Sequence, residues 1–283
     1  MSSLAVVFDV DNTLTPPREP MRAEMVEALR RIRVPFHLAA GSDLDLVVEQ
    51  VVRPLECAGV QCSFDAFVCN GAERYRCQIR DGAEITSVSC FRLRDHLGER
   101  TFNELLRALE AVLAEPEFRL DRSGVPVMGE RIIDRRSMIN VAPMGRPARM
   151  TPEAYAQRQA FVSFDSKSGY RLRLLERLRR VIEPYRESHG LRVTLGGQTS
   201  FDIVVEGYDK RFPLRTLLSE GHRPIVYVGD ALFAEGNDRA VLEFISEWEG
   251  PGTCPVEAIA VRDWTDTLAQ MQSRGWLRDK GER

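Results

Sequence analysis

The sequence predicts an α/β protein with a parallel-sheet core that is interrupted by an inserted α+β cap. Strand and helix patterns alternate near the start of the chain and again after Lys210. The middle of the chain instead combines amphipathic helices with short runs of alternating hydrophobicity, which are typical of antiparallel strands. We therefore expect a core formed by residues 1–85 and 207–283, and a cap formed by residues 86–206.

The composition is that of an ordinary globular protein. The 283 residues carry a net charge of −3, and 43% of them are hydrophobic, which excludes wholesale disorder. There is no basic excess to recruit nucleic acid or a membrane surface. No apolar run approaches the ~18 residues of a membrane span, and Met1-Ser2-Ser3 lacks the basic start of a signal peptide. The six cysteines include no C-x-x-C pair, so we expect reduced thiols and a cytoplasmic protein.

The core elements follow from hydrophobic periodicity. Leu4–Phe8 is continuously apolar, as in a strand that is buried on both faces. Pro20 suits the first turn of the helix that follows, and Ser42 or Asp43 could cap the next helix. The predicted strands are residues 4–8, 36–39, 65–69, 225–228 and 257–261. The predicted helices span residues 21–32, 44–55, 212–218, 240–244 and 264–271.

The cap elements are longer helices and alternating strands. The predicted helices span residues 102–113 and 172–182, and the predicted strands residues 131–133, 138–142, 192–195 and 201–205. The stretch from Arg171 to Arg180 is basic, but its arginines fall mostly between apolar positions. A solvated helix face therefore explains it better than a nucleic-acid interface.

Two carboxylates follow the first strand directly, in the stretch FDVDNT. Asp9 and Asp11 would leave the carboxyl end of a parallel strand, where α/β proteins bind ligands. Spaced two residues apart, they suit a hard cation such as Mg²⁺, with one carboxylate attacking phosphorus and the other handling a proton. Taken alone, both could simply cap turns.

Other strand ends supply the remaining parts of a phosphoryl-transfer site. Ser42 follows the second strand at a helix start, where an anion can bind. Lys210 offers a cation for phosphate charge. Asp230 follows a further strand, with Asn237 and Asp238 a few residues later. The order of these pieces is a stronger signal than any one of them.

This order resembles the haloacid dehalogenase superfamily, and specifically the eukaryotic-type phosphomannomutase family. The resemblance runs from about Val6 to Val241 and is carried by FDVDNTLTPPR, AGSDLDLVVEQ, CNGAERY, SMINVAPMGR, GGQTSFDIVVEGYDKRF and GDALFAEGND. It implies a Rossmann-like core with an α+β cap, and Mg²⁺-dependent phosphoryl transfer on a hexose phosphate through an aspartyl phosphate.

The resemblance also implies roles for individual residues. Asp9 would be the nucleophile and Asp11 the general acid/base. The metal would be held by Asp9, the Asp11 main-chain carbonyl and Asp230, with Asn237 and Asp238 nearby. Ser42 and Lys210 would contact the transferring phosphoryl group. The sugar and its distal phosphate would be bound by Arg18, Arg135, Met138, Asn140, Arg146, Ser200 and Asp202.

Three departures from the family pattern bear on the reaction. Leu46 replaces a lysine, and only Arg149 or Arg158 could replace a further cap arginine beyond Arg146. The loop between Asp230 and Gly236 is also less polar and has fewer glycines. The cap residues favour a phosphomannomutase, whereas the lost cations favour a sugar-phosphate phosphatase.

A third hypothesis is a non-catalytic sugar-phosphate sensor, which would be marked by loss of Asp9, Asp11, Lys210 or Asp230. All four are present. The expected partners are a phosphosugar substrate and, for a mutase, a hexose bisphosphate activator. Related mutases are often homodimers through the cap, and the apolar helix at 102–113 could form that interface or belong to the cap's own core.

Overall fold

The computed structural model describes residues 3–121, 123–233 and 236–279. Contacts divide the chain into two compact units. The first, the core, is drawn from residues 1–90 and 208–283, and the second, the cap, from residues 91–207.

A seven-stranded sheet forms the centre of the core. Numbered along the whole chain, its strands are β1 (Ser3–Phe8), β2 (Phe36–Ala39), β3 (Cys62–Val68), β4 (Glu73–Ile79), β5 (Ala83–Cys90), β10 (His222–Gly229) and β11 (Val256–Ala260). They lie in the order β11-β10-β1-β2-β3-β4-β5. The first five are parallel, as predicted, while β4 and β5 form an antiparallel extension that the sequence analysis did not predict.

The helices of the core follow the predicted pattern with one shift. They are α1 (Ala23–Arg31), α2 (Leu44–Val47), α3 (Arg53–Cys57), α8 (Arg211–Ser219), α9 (Arg239–Ser246) and α10 (Trp264–Ser273). The placement of Pro20 in a first helical turn is wrong, because Arg22 is still extended (ψ 153°) and α1 begins after it. The Asp43 carboxylate caps α2 by accepting the N–H of Leu46 at 3.2 Å. A π-helical turn, Val48–Val52, joins α2 to α3.

Strand β1 lies at the middle of the core's hydrophobic interior. Ala5, Val6, Val7 and Phe8 are all fully buried, as a central parallel strand covered on both faces requires. Because these side chains are buried, the position of β1 is well defined, and so is the position of Asp9, which follows Phe8.

The cap contains an antiparallel sheet of four strands. These are β6 (Glu130–Asp134), β7 (Ile139–Arg146), β8 (Leu191–Gly196) and β9 (Ser200–Val205), in the order β6-β7-β9-β8. The helices of the cap are α4 (Leu93–Leu97), α5 (Glu99–Ala114), α6 (Pro152–Ser168) and α7 (Tyr170–His189).

Helix α6 was not predicted, although its ends carry the usual signals. Thr151 accepts the N–H of Ala154, Pro152 occupies the first turn, and Gly169 ends the helix with a left-handed φ of 63°. Its apolar residues lack helical periodicity, which is why a search for periodicity misses it.

The apolar stripe of α5 belongs to the cap's own interior. Phe102, Leu105 and Leu109 are fully buried within this chain, which explains the stripe without a partner subunit. None of the described helices is long and apolar enough to cross a membrane. The structure pairs none of the six cysteines, all within its described part, in a disulfide, and two of them, Cys69 and Cys77, are buried.

Candidate active site

Two carboxylates leave the same edge of the core sheet. Asp9 follows β1 directly, and its N–H donates to the Val228 carbonyl of β10 at 2.9 Å. Asp230 follows Gly229, the last residue of β10. Because β1 and β10 are parallel neighbours, their carboxyl ends lie side by side, where the sequence placed the site.

Lys210 joins this edge from the start of α8. Its side chain is 1% exposed, and Nζ donates to Asp9 Oδ1 at 2.7 Å and to Asp238 Oδ1 at 2.5 Å. A buried ammonium is stable only when carboxylates compensate for its lost hydration. The structure therefore brings Asp9, Lys210 and Asp238 into one buried charged group.

Asp238 is held by more than the lysine. The Tyr227 hydroxyl donates to Asp238 Oδ1 at 2.7 Å, and the Ala231 N–H donates to Oδ2 at 3.1 Å. A methyl group at Gly229 would lie 2.3 Å from Asp238 Oδ2, so the carboxylate fits only beside glycine. With these donors in place, Asp238 is suited to orient Lys210 and the loop that follows β10.

The site has more acidic than basic charge. Carboxylate oxygens of Asp9, Asp230 and Asp238 lie within 4.8 Å of one another, and Lys210 forms ion pairs with Asp9 and Asp238. Burial, reinforced by the Asp238 charge, raises the pKa of the Asp230 carboxyl to about 6. Burial also raises the pKa of Asp9, although Lys210 opposes that shift. A cluster of oxygen ligands with uncompensated negative charge fits a hard divalent cation.

Burial and the neighbouring carboxylates shift the pKa of Lys210 in opposite directions. Desolvation alone would lower the pKa of Lys210, but the Asp238 and Asp9 carboxylates outweigh it, and the pKa is raised. The lysine therefore stays charged at neutral pH.

The Asp11 carboxylate lies apart from these three acids. Its Oδ1 accepts the Arg18 N–H at 2.7 Å and the Gln50 side-chain amide at 2.8 Å. Asn12, which follows Asp11, adopts a left-handed φ of 60°, and its Nδ2 donates to Asp230 Oδ2 at 3.1 Å. The predicted motif thus places the side chains of Asp9 and Asn12 at the acidic cluster, whereas the Asp11 side chain contacts Gln50.

Ser42 and Asn237 border the same edge. Ser42 is buried after β2, and its carbonyl accepts the Cys69 N–H at 2.7 Å, which ties together the loops after β2 and β3. A methyl group at Gly41 would lie 3.7 Å from Asn237 Nδ2 and 3.2 Å from Asn70 Oδ1. The loop carrying Asn237 therefore approaches the end of β2. Ala234 and Glu235, part of the departing loop sequence, lie outside the described residues.

Within the cap, four predicted residues form one hydrogen-bonded group. Asn140 of β7 and Asp202 of β9 are cross-strand neighbours, and Asn140 Nδ2 donates to Asp202 Oδ1 at 2.6 Å. Arg146 Nη2 donates to Asn140 Oδ1 at 2.8 Å and to Ser200 Oγ at 3.2 Å. Guanidinium, amide, carboxylate and hydroxyl groups side by side can bind a phosphate and the hydroxyls of a sugar.

The other two predicted cap residues lie at the turn between β6 and β7. Arg135 and Met138 are both buried, and the Arg135 N–H donates to the Met138 carbonyl at 2.9 Å. Ile133 pairs with Asn140 across this hairpin, so the turn is directly connected to the cap group.

One arginine of the cap does not fit the predicted solvated face. Arg171 is 9% exposed, and its guanidinium donates to the carbonyls of Gly197 at 2.8 Å and Ser200 at 3.1 Å. Periodicity predicts a solvated side chain for Arg171, but the first turn of α7 packs on the β8–β9 turn and buries it. No sequence signal distinguishes it from the exposed arginines that follow.

The candidates for the missing cap arginine differ in exposure. Arg149 is exposed, whereas Arg158 of α6 is half-buried and donates to Gln198 Oε1 at 3.1 Å in the β8–β9 turn. Leu46 is half-buried in α2. Gln50, which no sequence pattern marks as part of the site, contacts Asp11, a residue 39 positions away.

Solved structures of other proteins share the fold of this chain. IMP-nucleotidase from Plasmodium falciparum matches with a TM-score of 0.60 at 14% identity, covering 97% of this chain and 69% of that protein. Trehalose-6-phosphate phosphatase from Aspergillus fumigatus matches with a TM-score of 0.50 at 14% identity, covering 96% and 92%. These matches show the fold, an α/β core with an inserted α+β cap.

Sequence comparison gives the family. The family model "Eukaryotic phosphomannomutase" matches residues 22–247. Phosphomannomutase from Schizosaccharomyces pombe is 34% identical over 236 residues, 82% of each chain. Phosphomannomutase from Spinacia oleracea is 32% identical over 248 residues, 87% of this chain and 88% of that one. The chain belongs to the eukaryotic phosphomannomutase family. The family-model match begins after Asp9 and Asp11.

Proposed function

We propose that the protein is a phosphomannomutase, which interconverts mannose 1-phosphate and mannose 6-phosphate through phosphorylated Asp9. The observation that carries the proposal is the Asp9 carboxylate, buried at a strand end and paired with Lys210 at 2.7 Å, in a chain of this family. A nucleophilic carboxylate beside a permanently charged lysine is what phosphoryl transfer requires.

The reaction proceeds in two transfers, after a hexose bisphosphate has phosphorylated Asp9. In the first transfer, the free hydroxyl of the bound hexose phosphate attacks phosphorus on Asp9, Asp11 takes the hydroxyl proton, and the Asp9 carboxylate leaves, which gives a hexose bisphosphate. In the second transfer, Asp9 attacks the other phosphate of this bisphosphate with the carboxylate oxygen that Lys210 does not hold, and the bond from phosphorus to the sugar oxygen breaks. Asp11 gives its proton to the departing oxygen.

Mg²⁺ is the proposed cofactor because three clustered carboxylates offer it oxygen ligands. Asp9, Asp230 and the Asp11 main-chain carbonyl would hold it, with Asn237 and Asp238 nearby. When bound, Mg²⁺ neutralises charge on the transferring phosphoryl group. Lys210 supplies positive charge from the protein itself, and Ser42 donates a hydrogen bond to the phosphoryl oxygens.

The cap group is proposed to bind the rest of the substrate. Arg146 and Arg135 bind the distal phosphate, since guanidinium groups form bidentate hydrogen bonds with phosphate. Asn140, Ser200 and Asp202 bind sugar hydroxyls, and Met138 belongs to the same sugar-binding set.

A sugar-phosphate phosphatase is the second candidate function. One reason is Leu46, which stands where the family has a lysine. The other is that Arg149, a candidate to replace the family's further cap arginine beyond Arg146, is exposed. In a phosphatase, water rather than a second hydroxyl would attack phosphorylated Asp9.

One experiment separates the two functions. The protein is incubated with Mg²⁺, mannose 1-phosphate and a catalytic amount of a hexose bisphosphate, and phosphorus NMR follows the products. The mutase proposal expects mannose 6-phosphate with little free phosphate. Stoichiometric phosphate without the isomer would identify a phosphatase, and Asp9→Asn is the control that should abolish either reaction.

A further inference from the structure

Gln50 is a buried glutamine whose side-chain amide lies against Asp11. It is 1% exposed, and Nε2 is 2.8 Å from Asp11 Oδ1, 3.0 Å from Thr15 Oγ1 and 3.3 Å from the Glu19 carbonyl. An amide nitrogen carries two protons, and here they face three acceptors. The side chain is therefore surrounded by groups of the loop that follows β1.

The orientation of this amide is fixed by its neighbours. The Asp11 carboxylate and the Glu19 carbonyl only accept hydrogen bonds, so nitrogen and not oxygen must face them. The Thr15 hydroxyl donates to the Val10 carbonyl at 3.3 Å and is therefore able to accept from Gln50.

Packing alone does not explain a glutamine at this position. Its Oε1 is buried with no hydrogen-bond donor in the part of the chain that the structure describes. An unsatisfied buried amide oxygen destabilises the fold, and an apolar side chain of similar length would avoid that cost.

The backbone around Gln50 is also unusual. It lies in the π-helical turn Val48–Val52, where the Arg53 N–H donates to the Val48 carbonyl five residues earlier. Such turns occur frequently at functional sites. The Gln50 carbonyl accepts the Met21 N–H at 2.9 Å, so Gln50 forms hydrogen bonds with both Asp11 and the segment before α1.

We propose that Gln50 is a positioning residue for proton transfer by Asp11. It holds Oδ1 together with the Arg18 N–H and thereby leaves Oδ2 to exchange a proton with the sugar oxygen. This inference rests on the proposed function, and specifically on Asp11 as the general acid/base.

Comparing substrates with different leaving groups can detect a residue that positions the general acid. A sugar oxygen must be protonated as its bond to phosphorus breaks, whereas p-nitrophenolate is stable enough to leave without a proton. A residue that positions the acid therefore matters for mannose 1-phosphate and not for p-nitrophenyl phosphate. Damage to the fold or to the nucleophile lowers both rates alike.

The experiment compares kcat/KM for formation of mannose 6-phosphate from mannose 1-phosphate, with a catalytic amount of a hexose bisphosphate, and for release of p-nitrophenolate from p-nitrophenyl phosphate, with Mg²⁺ present in both assays. Gln50→Met keeps the length of the side chain and removes the N–H donors. We expect it to lower kcat/KM for mannose 1-phosphate by about tenfold or more and for p-nitrophenyl phosphate by less than about threefold. Gln50→Glu, in which a second carboxylate faces Asp11, should show the same selectivity and carries the test if Gln50→Met does not fold.

Gln157 provides a matched control in the cap. It is equally buried, its Nε2 donates to the carbonyls of Met144 and Pro126, and its Oε1 also lacks a donor within the described residues. Gln157→Met should leave the ratio of the two rate constants at the wild-type value, whatever it does to thermal stability.

Asp11→Asn separates the failure of this inference from the failure of the proposed function. If Asp11→Asn is selective and the Gln50 variants lower both substrates equally, or neither, the inference is overturned and the proposed function stands. If Asp11→Asn shows no selectivity, or the wild-type protein acts on neither substrate, the proposed mechanism falls and the inference falls with it.

Discussion

Replacing Lys210 by methionine removes the cation that holds the charged group together. The side chain is 1% exposed and lies 2.7 Å from Asp9 and 2.5 Å from Asp238, so Lys210→Met leaves two buried carboxylates without their partner. Breaking a buried ion pair in this way costs about 3–5 kcal/mol. We expect the free energy of unfolding to fall by that amount at pH 7, and turnover to fall by orders of magnitude.

The pH dependence of this loss follows from Asp9. Burial already raises the pKa of Asp9, and removal of Lys210 raises it further. A carboxyl group with a raised pKa in the folded state contributes stability at low pH and loses it as pH rises. The deficit of Lys210→Met should therefore shrink when pH is lowered from 7 to 5.

Urea unfolding followed by circular dichroism measures both effects. Lys167→Met is the matched control, because Lys167 is exposed on α6 and its loss should change stability by less than about 0.5 kcal/mol. A Lys210→Met variant as stable as wild type at pH 7, or a deficit that grows toward pH 5, would refute the ion-pair reasoning.

Three further predictions test other parts of the structure. Gly229→Ala should reduce turnover more than tenfold, because its methyl group would lie 2.3 Å from Asp238 Oδ2, whereas Gly82→Ala, with 3.8 Å to its nearest neighbour, should keep wild-type kinetics. Burial lowers the pKa of His37 to about 4, so the unfolded chain takes up the proton first and the free energy of unfolding should fall by about 3 kcal/mol between pH 6.5 and 4. His37→Asn should reduce this pH dependence of the free energy of unfolding, measured by urea unfolding. An unchanged dependence would contradict the assignment to His37. Arg146→Ala should raise KM for mannose 1-phosphate with little change in kcat, and Arg100→Ala, whose side chain is 92% exposed in the cap, should change neither; a fall in kcat alone would exclude a simple binding role for Arg146.

The sequence predicted the elements whose burial is regular. Strand β1 is apolar without interruption because both of its faces are covered, and the residue after it, Asp9, could therefore be placed at the sheet edge. Asp230 follows β10 in the same way, and Lys210 follows from the motif. These three do come together in the structure.

The contacts that depend on tertiary packing could not be predicted. Helix α6 has no apolar period, and Arg171 differs from the exposed arginines of α7 only because one turn of the helix meets the β8–β9 turn. Gln50 reaches Asp11 across 39 residues through a π-helical turn that no local pattern marks. Each of these features depends on which parts of the chain pack together, and hydrophobic periodicity does not contain that information.

The central claim is that Asp9 carries the phosphoryl group. It is tested by reacting the protein with Mg²⁺ and a hexose bisphosphate labelled with ³²P, quenching in acid, and locating the label by peptide mass spectrometry. The mechanism predicts a hydroxylamine-sensitive acyl phosphate on the peptide that contains Asp9, and no label in Asp9→Asn. A protein that interconverts the substrates while its label lies on any other residue would contradict it.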